Sequence, residues 1–271
     1  MVQAAGVGML RDSTLLITAY HRPDYLRRTL ESWAAVPEIG EVRRIVVALG
    51  WSHRFDDQVD VITEAGRQMG RVIDVFPDSQ AARESPGMHR ALGEAIDHAF
   101  MGGGQDYVIC GEEDVIVSDD VLSYMDWASH WYADDVLCIC AHNRGGAGWD
   151  GLEAPRADKD AHQEKVRLLP YFNPWVWAVG RSQWATRLRP VWDWECDSGG
   201  DGDSGYDWNL QRLSQVGPWR NLVPDAARSQ TIGELGGAYS TPEIFPNQQS
   251  LSFREHRCRP VEYRLQLGDP R

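Results

Sequence analysis

The feature that most constrains this chain is the regular alternation of strand-like and helix-like segments over its first 140 residues. Short apolar runs are followed by stretches whose apolar residues recur at helical spacing. Such a rhythm predicts a parallel sheet flanked by helices, because each crossover helix returns the chain to the same end of the sheet. The predicted strands are 13–20, 42–49, 71–76 and 107–110, and the predicted helices are 22–35, 56–70 and 86–100.

An acidic triplet follows the last of these strands directly. Glu112, Glu113 and Asp114 are consecutive, and carboxylates this close repel one another unless a positive charge lies among them. Ligands of open parallel sheets bind at the carboxyl ends of the strands. Mg²⁺ and Mn²⁺ accept few protein carboxylates and complete their shells with substrate phosphates. The triplet therefore indicates a metal and phosphate site, with a solvated acidic turn as the alternative.

The sequence changes character after a helix predicted at 118–135 and a strand predicted at 136–141. The polar, Gly-rich stretch 142–165 predicts a long loop, and loops of this length often cover a binding site. Residues 166–181 predict two strands around a turn. Ser182 is then predicted to cap the helix that follows.

A second Gly- and Asp-rich loop is predicted at 193–207. It carries acids at alternate positions, but Ser198 and Ser204 stand where a calcium-binding EF-hand needs Gly and Glu. A flexible acidic loop is therefore the preferred interpretation. Its last acid, Asp207, opens a helix predicted at 207–214. The helix N-terminus favours an ionised carboxylate, which in a cleft is suited to act as a general base.

Composition narrows the classes of function. The net charge of −13 disfavours broad binding of nucleic acid, although arginines in the second half leave a local basic groove open. Only Lys159 and Lys165 are lysines, a bias typical of a GC-rich bacterial or viral genome. The five scattered cysteines indicate reduced thiols, and no apolar run of about 18 residues predicts a membrane span. No signal peptide is recognised, so a cytoplasmic protein is expected.

Six segments, taken in order, resemble the inverting, metal-dependent GT-A glycosyltransferases, especially N-acetylglucosaminyltransferase I of N-glycan processing and its relatives. They are LLITAYHRPDYLRRTLESW, GMHRALGEAIDHAF, GEEDVIVSDD, YFNPWVWAVGRSQWATRLRPVW, GYDWNLQRL and RSQTIGELGGAYSTPEIF. The resemblance covers residues 13–246 and implies an α/β GT-A fold, in which helices flank a Rossmann-like, mostly parallel sheet. Within one continuous domain it implies a nucleotide-sugar-binding half, 12–141, and an acceptor-binding and catalytic-base half, 142–271.

The resemblance also implies roles for particular residues. Asp114 would bind Mn²⁺ or Mg²⁺, and Asp207 would take the proton from an acceptor hydroxyl that attacks the anomeric carbon with inversion. The implied donor contacts are Arg22, His89 and Ser240 at the diphosphate, Glu113 at the ribose, and Glu112 with Tyr206 at the sugar. The donor is expected to be a nucleotide sugar, with UDP as its nucleotide and GlcNAc or another hexose as its sugar. Loops 142–165 and 193–206 would order over it.

This chain departs from the family pattern at two places, and several alternatives stay open. The second acid of the triplet is Glu113 rather than Asp, and Gly50 and Ser52 stand in the segment where the family has a uracil-recognising Asp. Four classes of hydroxyl acceptor stay open: a glycan, a protein, a small molecule and a hydroxymethylated base in DNA. A nucleotidyltransferase would need a Gly-rich loop after the first strand, which YHRPDYLRR lacks. A non-catalytic carbohydrate-binding relative would not need both Asp114 and Asp207.

Overall fold

The computed structural model describes residues 8–77, 88–101, 103–143, 146–147, 153–154, 162–194, 205–236, 240–256 and 262–266. The strands are β1 (Ser13–Ala19), β2 (Arg44–Leu49), β3 (Asp74–Pro77), β4 (Tyr107–Glu112), β5 (Val115–Val117), β6 (Val136–Cys140), β7 (Gly146–Ala147), β8 (Glu153–Ala154), β9 (Lys165–Leu169), β10 (Trp177–Gly180), β11 (Arg220–Pro224), β12 (Ser229–Thr231) and β13 (Arg264–Gln266). The helices are α1 (Pro23–Ala34), α2 (Phe55–Met69), α3 (Met88–Met101), α4 (Val121–Ser129), α5 (Arg181–Gln183), α6 (Tyr206–Val216) and α7 (Phe245–Gln248).

Nine of these strands form one central sheet in the order β13-β9-β11-β6-β10-β4-β1-β2-β3. The four strands β3, β2, β1 and β4 are parallel neighbours, as the strand–helix rhythm predicts. Strand β10 lies antiparallel between β4 and β6, and β9 is antiparallel to β11. The result is a mixed, mostly parallel sheet flanked by helices, so the predicted fold class is confirmed.

Two apolar clusters cover the faces of this sheet. Leu15 and Ile17 of β1 belong to one cluster, whereas Leu16 between them belongs to the other, because successive strand residues point to opposite faces. The first cluster contains buried residues of α1, α2 and α4, and the second contains those of α3 and α6. The strands are therefore buried on both sides, and polar ligands have access at their ends rather than at their faces.

Several local predictions are corrected by the structure. The strands predicted within 166–181 exist as β9 and β10, but β11 and β6 separate them, so they do not pair around a turn. Ser182 lies inside α5, which begins at Arg181 without a side-chain cap. Helix α4 is shorter than the predicted 118–135, and strands β11 to β13 were not predicted.

The two predicted covering loops, 142–165 and 193–206, fall largely outside the described residues.

The two predicted halves of the chain share the central sheet. Strands from both sides of residue 141 alternate at its centre, where β10 separates β4 from β6. Within the described segments, no helix is both long enough and apolar enough to cross a membrane.

Candidate functional site

The acidic triplet lies at the carboxyl end of β4, beside the end of its parallel neighbour β1. Thr18 of β1 is in register with Glu112, so the residues that follow each strand meet at one edge of the sheet. This register brings the segment from Tyr20 to Arg22 against Glu113 and Asp114. The charge compensation that the sequence required for the triplet is therefore supplied, in part, by an arginine of the same edge.

Glu113 is the most heavily bonded of the three acids. Its carboxylate accepts hydrogen bonds from the Arg22 Nε at 2.7 Å, the Tyr20 amide at 2.9 Å and the Gln58 Nε2 at 3.3 Å. Its carbonyl accepts the Thr29 hydroxyl at 2.7 Å. Both carboxylate oxygens are thus engaged with the protein, and Glu113 fixes the turn that leads from β1 into α1. Its expected contact with a ribose stays a prediction.

Asp114 is nearly buried and pairs with Arg22. The distance from its Oδ2 to the Arg22 Nη2 is 2.9 Å. Burial raises the pKa of Asp114, Arg22 opposes this effect, and Glu113 adds to it. Gly233 lies so close that a Cβ there would overlap the Asp114 Oδ2. Only a glycine allows the segment after β12 to lie against this carboxylate.

Arg22 contacts both Glu113 and Asp114, and its Nη1 takes no part in these contacts. Burial lowers the pKa of Arg22, but Asp114 and Glu113 outweigh this effect and raise it. Its Nη1 is buried and has no hydrogen-bond partner among the described residues. A buried guanidinium N–H without a partner costs free energy, so this atom is suited to receive an anionic ligand.

The third acid, Glu112, faces the second half of the chain. The Tyr206 hydroxyl donates to its Oε1 at 2.5 Å, across 94 positions of sequence. Burial, together with the nearby Asp114, raises the pKa of Glu112 to about 8, although the Tyr206 hydrogen bond opposes the rise. This hydrogen bond joins the acidic triplet to the first turn of α6, where Asp207 lies.

Asp207 is in the first turn of α6, next to a small hollow lined by Phe172, Pro174, Trp208 and Gln211. The sequence predicts that the helix N-terminus favours its ionised form. The backbone amides of Trp208 and of Asp207 itself act in that direction, but burial outweighs them and raises its pKa. Asp207 is therefore more basic than an ordinary aspartate, which suits proton abstraction once it is ionised.

His89 lies on α3 and is almost fully buried. Burial lowers its pKa to about 4, so the ring is neutral near pH 7. Its Nε2 is 3.4 Å from the Asn209 Nδ2, while its Nδ1 has no hydrogen-bond partner in the described part of the chain. The ring packs edge-on against Trp192, whose Nε1 donates to the His89 carbonyl at 2.9 Å.

Ser240 is a predicted site residue whose hydrogen bond does not lead to the acidic triplet. Its hydroxyl donates to the Gln248 Oε1 at 3.0 Å, and that hydrogen bond leads into α7 rather than to the acidic triplet. Its expected contact with a diphosphate stays a prediction.

The oxygen donors at the triplet fit a hard divalent cation in kind. The described residues contain no group of three or more His, Cys, Asp or Glu side chains that could hold a metal by themselves. Mg²⁺ and Mn²⁺ do not require one, because one or two carboxylates and substrate phosphates complete their coordination. The site fits a metal that arrives with, or is completed by, a phosphorylated ligand.

Sequence reasoning missed two contributors to this site. Gln58, at the start of α2, donates to Glu113, and Gly233 gives room to the Asp114 carboxylate. The fold brings each of them to the triplet from 55 or more positions away, and neither belongs to a recognisable motif. Only the isolated glycine in the segment IGEL carries a sequence signal, because glycine permits close approach.

Comparison with known proteins identifies the fold. No protein-family model and no curated protein sequence matches the chain. Solved structures do match. The mannosyltransferase PcManGT from Pyrobaculum calidifontis, in complex with GDP-Man and Mn²⁺, is 12% identical over 88% of this chain and 68% of its own, with a TM-score of 0.53. S. aureus TarS 1-349 in complex with UDP is 14% identical over 80% of this chain and 59% of its own, with a TM-score of 0.52.

A third solved structure, GalNAc-T7 with UDP, GalNAc and Mn²⁺, is 13% identical, with a TM-score of 0.59. It is covered over 47% of its own length and 86% of this chain. At these identities the likeness shows the fold, which is of the GT-A type that the sequence predicts. The narrower resemblance to N-acetylglucosaminyltransferase I is not shown.

Proposed function

We propose that this protein is a metal-dependent glycosyltransferase that moves a sugar from a nucleoside-diphosphate donor to a hydroxyl acceptor with inversion. The observation that carries the proposal is the hydrogen bond from Tyr206 to Glu112. This hydrogen bond connects two parts of the site. One is the acidic edge paired with Arg22, which suits a diphosphate and a cation, and the other is helix α6, which carries Asp207 with its raised pKa. Similar folds bound to GDP-Man, UDP and Mn²⁺ support the donor class.

The donor's diphosphate belongs at the Arg22 and Asp114 edge. The Arg22 Nη1, buried and unpartnered among the described residues, would donate to a phosphate oxygen. Asp114 would hold the Mn²⁺ or Mg²⁺ ion, with phosphate oxygens completing its shell. Such an ion would neutralise the negative charge of the nucleoside diphosphate as it leaves. His89, neutral and with an open Nδ1, is the second candidate contact for the donor.

The sugar belongs between Glu112 and Asp207. Glu112 already receives the Tyr206 hydroxyl on its Oε1. Its other carboxyl oxygen would hydrogen-bond a sugar hydroxyl. Asp207, on α6, would accept the proton of the acceptor hydroxyl as that oxygen attacks the anomeric carbon. The proton leaves the acceptor for Asp207, and the glycosidic bond to the diphosphate breaks.

A thermal-shift experiment tests this proposal. UDP, GDP and their sugar conjugates, each with and without Mn²⁺, would be added to the unmodified protein, to Asp114→Asn and to the control Asp134→Asn, whose side chain is fully exposed. A ligand at a hundredfold excess over its Kd should raise the Tm by about 5 °C. The Mn²⁺-dependent rise should vanish in Asp114→Asn and persist in the control. No rise with any of these ligands would overturn the proposal.

A further inference from the structure

An open hollow at the amino ends of β1 and β2 is lined by three arginines. Its volume is about 500 Å³, and the residues that line it are Arg11, Gly40, Glu41, Val42, Arg43 and Arg71. A volume of this size is typical of sites for small molecules. We propose that the hollow binds a small ligand that carries more than one phosphate group, at a site separate from the acidic triplet.

The hollow and the acidic triplet lie at opposite ends of the sheet. Arg11 lies two positions before β1, and Arg43 directly precedes β2 and donates its amide to the Leu10 carbonyl at 3.3 Å. The triplet lies at the carboxyl end of β4, which is parallel to β1. Strand β1 has seven residues, and a strand of that length spans about 20 Å. A ligand in the hollow is therefore not the proposed donor, so this inference does not depend on the proposed function.

Arg71 is held in place by the chain around it. Helix α2 ends with Gly70 in the left-handed conformation, with φ at 63°, and the Arg71 amide then donates to the Gly66 carbonyl at 2.9 Å. The Arg71 Nη1 donates to the Ile39 carbonyl at 2.5 Å, and its Nη2 donates to the Arg43 carbonyl at 3.1 Å. A guanidinium carries five N–H donors, so three of them remain for a ligand.

The charge of Arg71 is not compensated by a carboxylate. Other arginines that are buried or half-buried, such as Arg22, Arg167 and Arg228, each pair with an Asp or Glu side chain. Arg71 instead contacts backbone carbonyls. Burial lowers the pKa of Arg71, and no carboxylate opposes this effect. A bound anion would stabilise the charged guanidinium.

Two acids lie near the hollow but leave it positive. Glu41 lines it together with the three arginines, and the Asp12 Oδ1 lies 3.9 Å from the Arg43 Nη1, in an exposed pair of the kind that contributes little. The whole chain has a net charge of −13, so its overall field repels anions, and a local cluster of cations is needed to hold one. Guanidinium groups suit phosphate because each can donate two parallel hydrogen bonds to its oxygens.

Isothermal titration calorimetry with inorganic tripolyphosphate tests this inference, with EDTA present so that no divalent cation contributes. Tripolyphosphate should bind the unmodified protein, and Arg11→Gln should weaken the binding about tenfold, because it removes a charge-assisted contact. Arg11 is exposed, so this variant should keep the Tm of the unmodified protein. Arg264→Gln, which removes an exposed arginine from β13 at the far edge of the sheet, is the matched control and should not change the affinity.

Several results would overturn the inference. Absence of tripolyphosphate binding, or the same affinity in Arg11→Gln, would exclude a phosphate site in the hollow. An equal loss in Arg264→Gln would show diffuse attraction to the surface. Citrate that binds as tightly would remove the preference for phosphate. A short single-stranded DNA that binds more tightly than tripolyphosphate would assign the surface to a nucleic acid.

The same variant separates this inference from the proposed function. UDP with Mn²⁺ should bind Arg11→Gln as tightly as it binds the unmodified protein, because the hollow lies at the other end of the strands. A tenfold loss of UDP affinity in this variant would show that the two sites are one. Tripolyphosphate binding in a protein that does not bind UDP would remove the proposed function and leave the anion site.

Discussion

The two sides of the candidate site differ in what accompanies their carboxylates. On the β1 side, the Arg22 guanidinium contacts both Glu113 and Asp114. On the α6 side, Glu112 receives the phenol of Tyr206, which carries no charge. The first side thus holds a permanent cation, which opposes the effect of burial on the pKa of Asp114 and suits an anionic ligand. On the second side, burial raises the pKa of both Glu112 and Asp207. The proposed roles divide in the same way: anion binding is assigned to the side that carries Arg22, and proton transfer to the side that carries Asp207.

The largest expected effect comes from the α6 side. Asp207→Asn removes the proposed proton acceptor and keeps the shape of the side chain. Release of nucleoside diphosphate from the donor sugar should fall by about 10²–10⁴-fold, the usual contribution of a general base. Binding of the nucleotide with Mn²⁺, measured by calorimetry, should stay within twofold. Undiminished turnover in this variant would assign the proton transfer to another group.

On the β1 side, a substitution should lower the free energy of unfolding. Arg22→Met leaves Glu113 and Asp114 buried without their cation, and breaking a buried pair from one side typically costs about 3–5 kcal/mol. Urea denaturation would measure the loss. Arg67→Met, which removes an exposed pair with Glu64, is the matched control and should cost less than about 1 kcal/mol. Equal losses in the two variants would show that Arg22 is not the compensating charge.

The pH dependence of stability sharpens the comparison at His89. Its pKa is lowered to about 4 in the folded chain, below the value of about 6.5 in the unfolded chain. The unfolded state therefore binds more protons between these values, so stability falls as the pH drops from about 6.5 to 4, by roughly 2–3 kcal/mol. His89→Gln should flatten this part of the profile. A profile of the same slope in the variant would assign the effect to other groups.

The smallest expected effect concerns the fit around Asp114. A methyl group at Gly233 would displace the Asp114 carboxylate, so Gly233→Ala should weaken Mn²⁺ binding in the presence of UDP. Disturbing the groups that support a metal ligand typically costs about 10–100-fold in metal affinity, and we expect a loss at the lower end, about 10-fold. Gly40→Ala, where a Cβ meets no neighbour within 4 Å, should leave it unchanged. Calorimetric titration compares the two, and equal affinities would mean that the carboxylate has room to move.

Much of the first half of the molecule was predictable because its signals are local. Strands β1, β2 and β4 follow from short apolar runs, and the meeting of Arg22 with the triplet follows from the carboxyl ends of parallel strands. Strands β11 to β13 have three to five residues each. Runs this short give no reliable period, so their place in the sheet depends on long-range pairing.

The pKa shifts of the site residues were less predictable from the sequence than the identity of those residues. The sequence identifies Asp207 and its helix terminus, but the direction of its pKa shift depends on burial by residues far along the chain. Val176 shows the same limit for the backbone. It is buried with φ at 66°, a conformation that a β-branched residue rarely adopts, and no propensity predicts it.

The antiparallel strand β10 has a consequence for how the chain folds. It fills the gap between β4 and β6, so a nascent chain that ends near residue 141 has both of these strands exposed at open edges. Unpaired apolar edges invite association with other chains. Expression of residues 12–141 alone should therefore yield an aggregating fragment, and addition of a segment through residue 180 should be the shortest extension that joins β4 to β6 through β10.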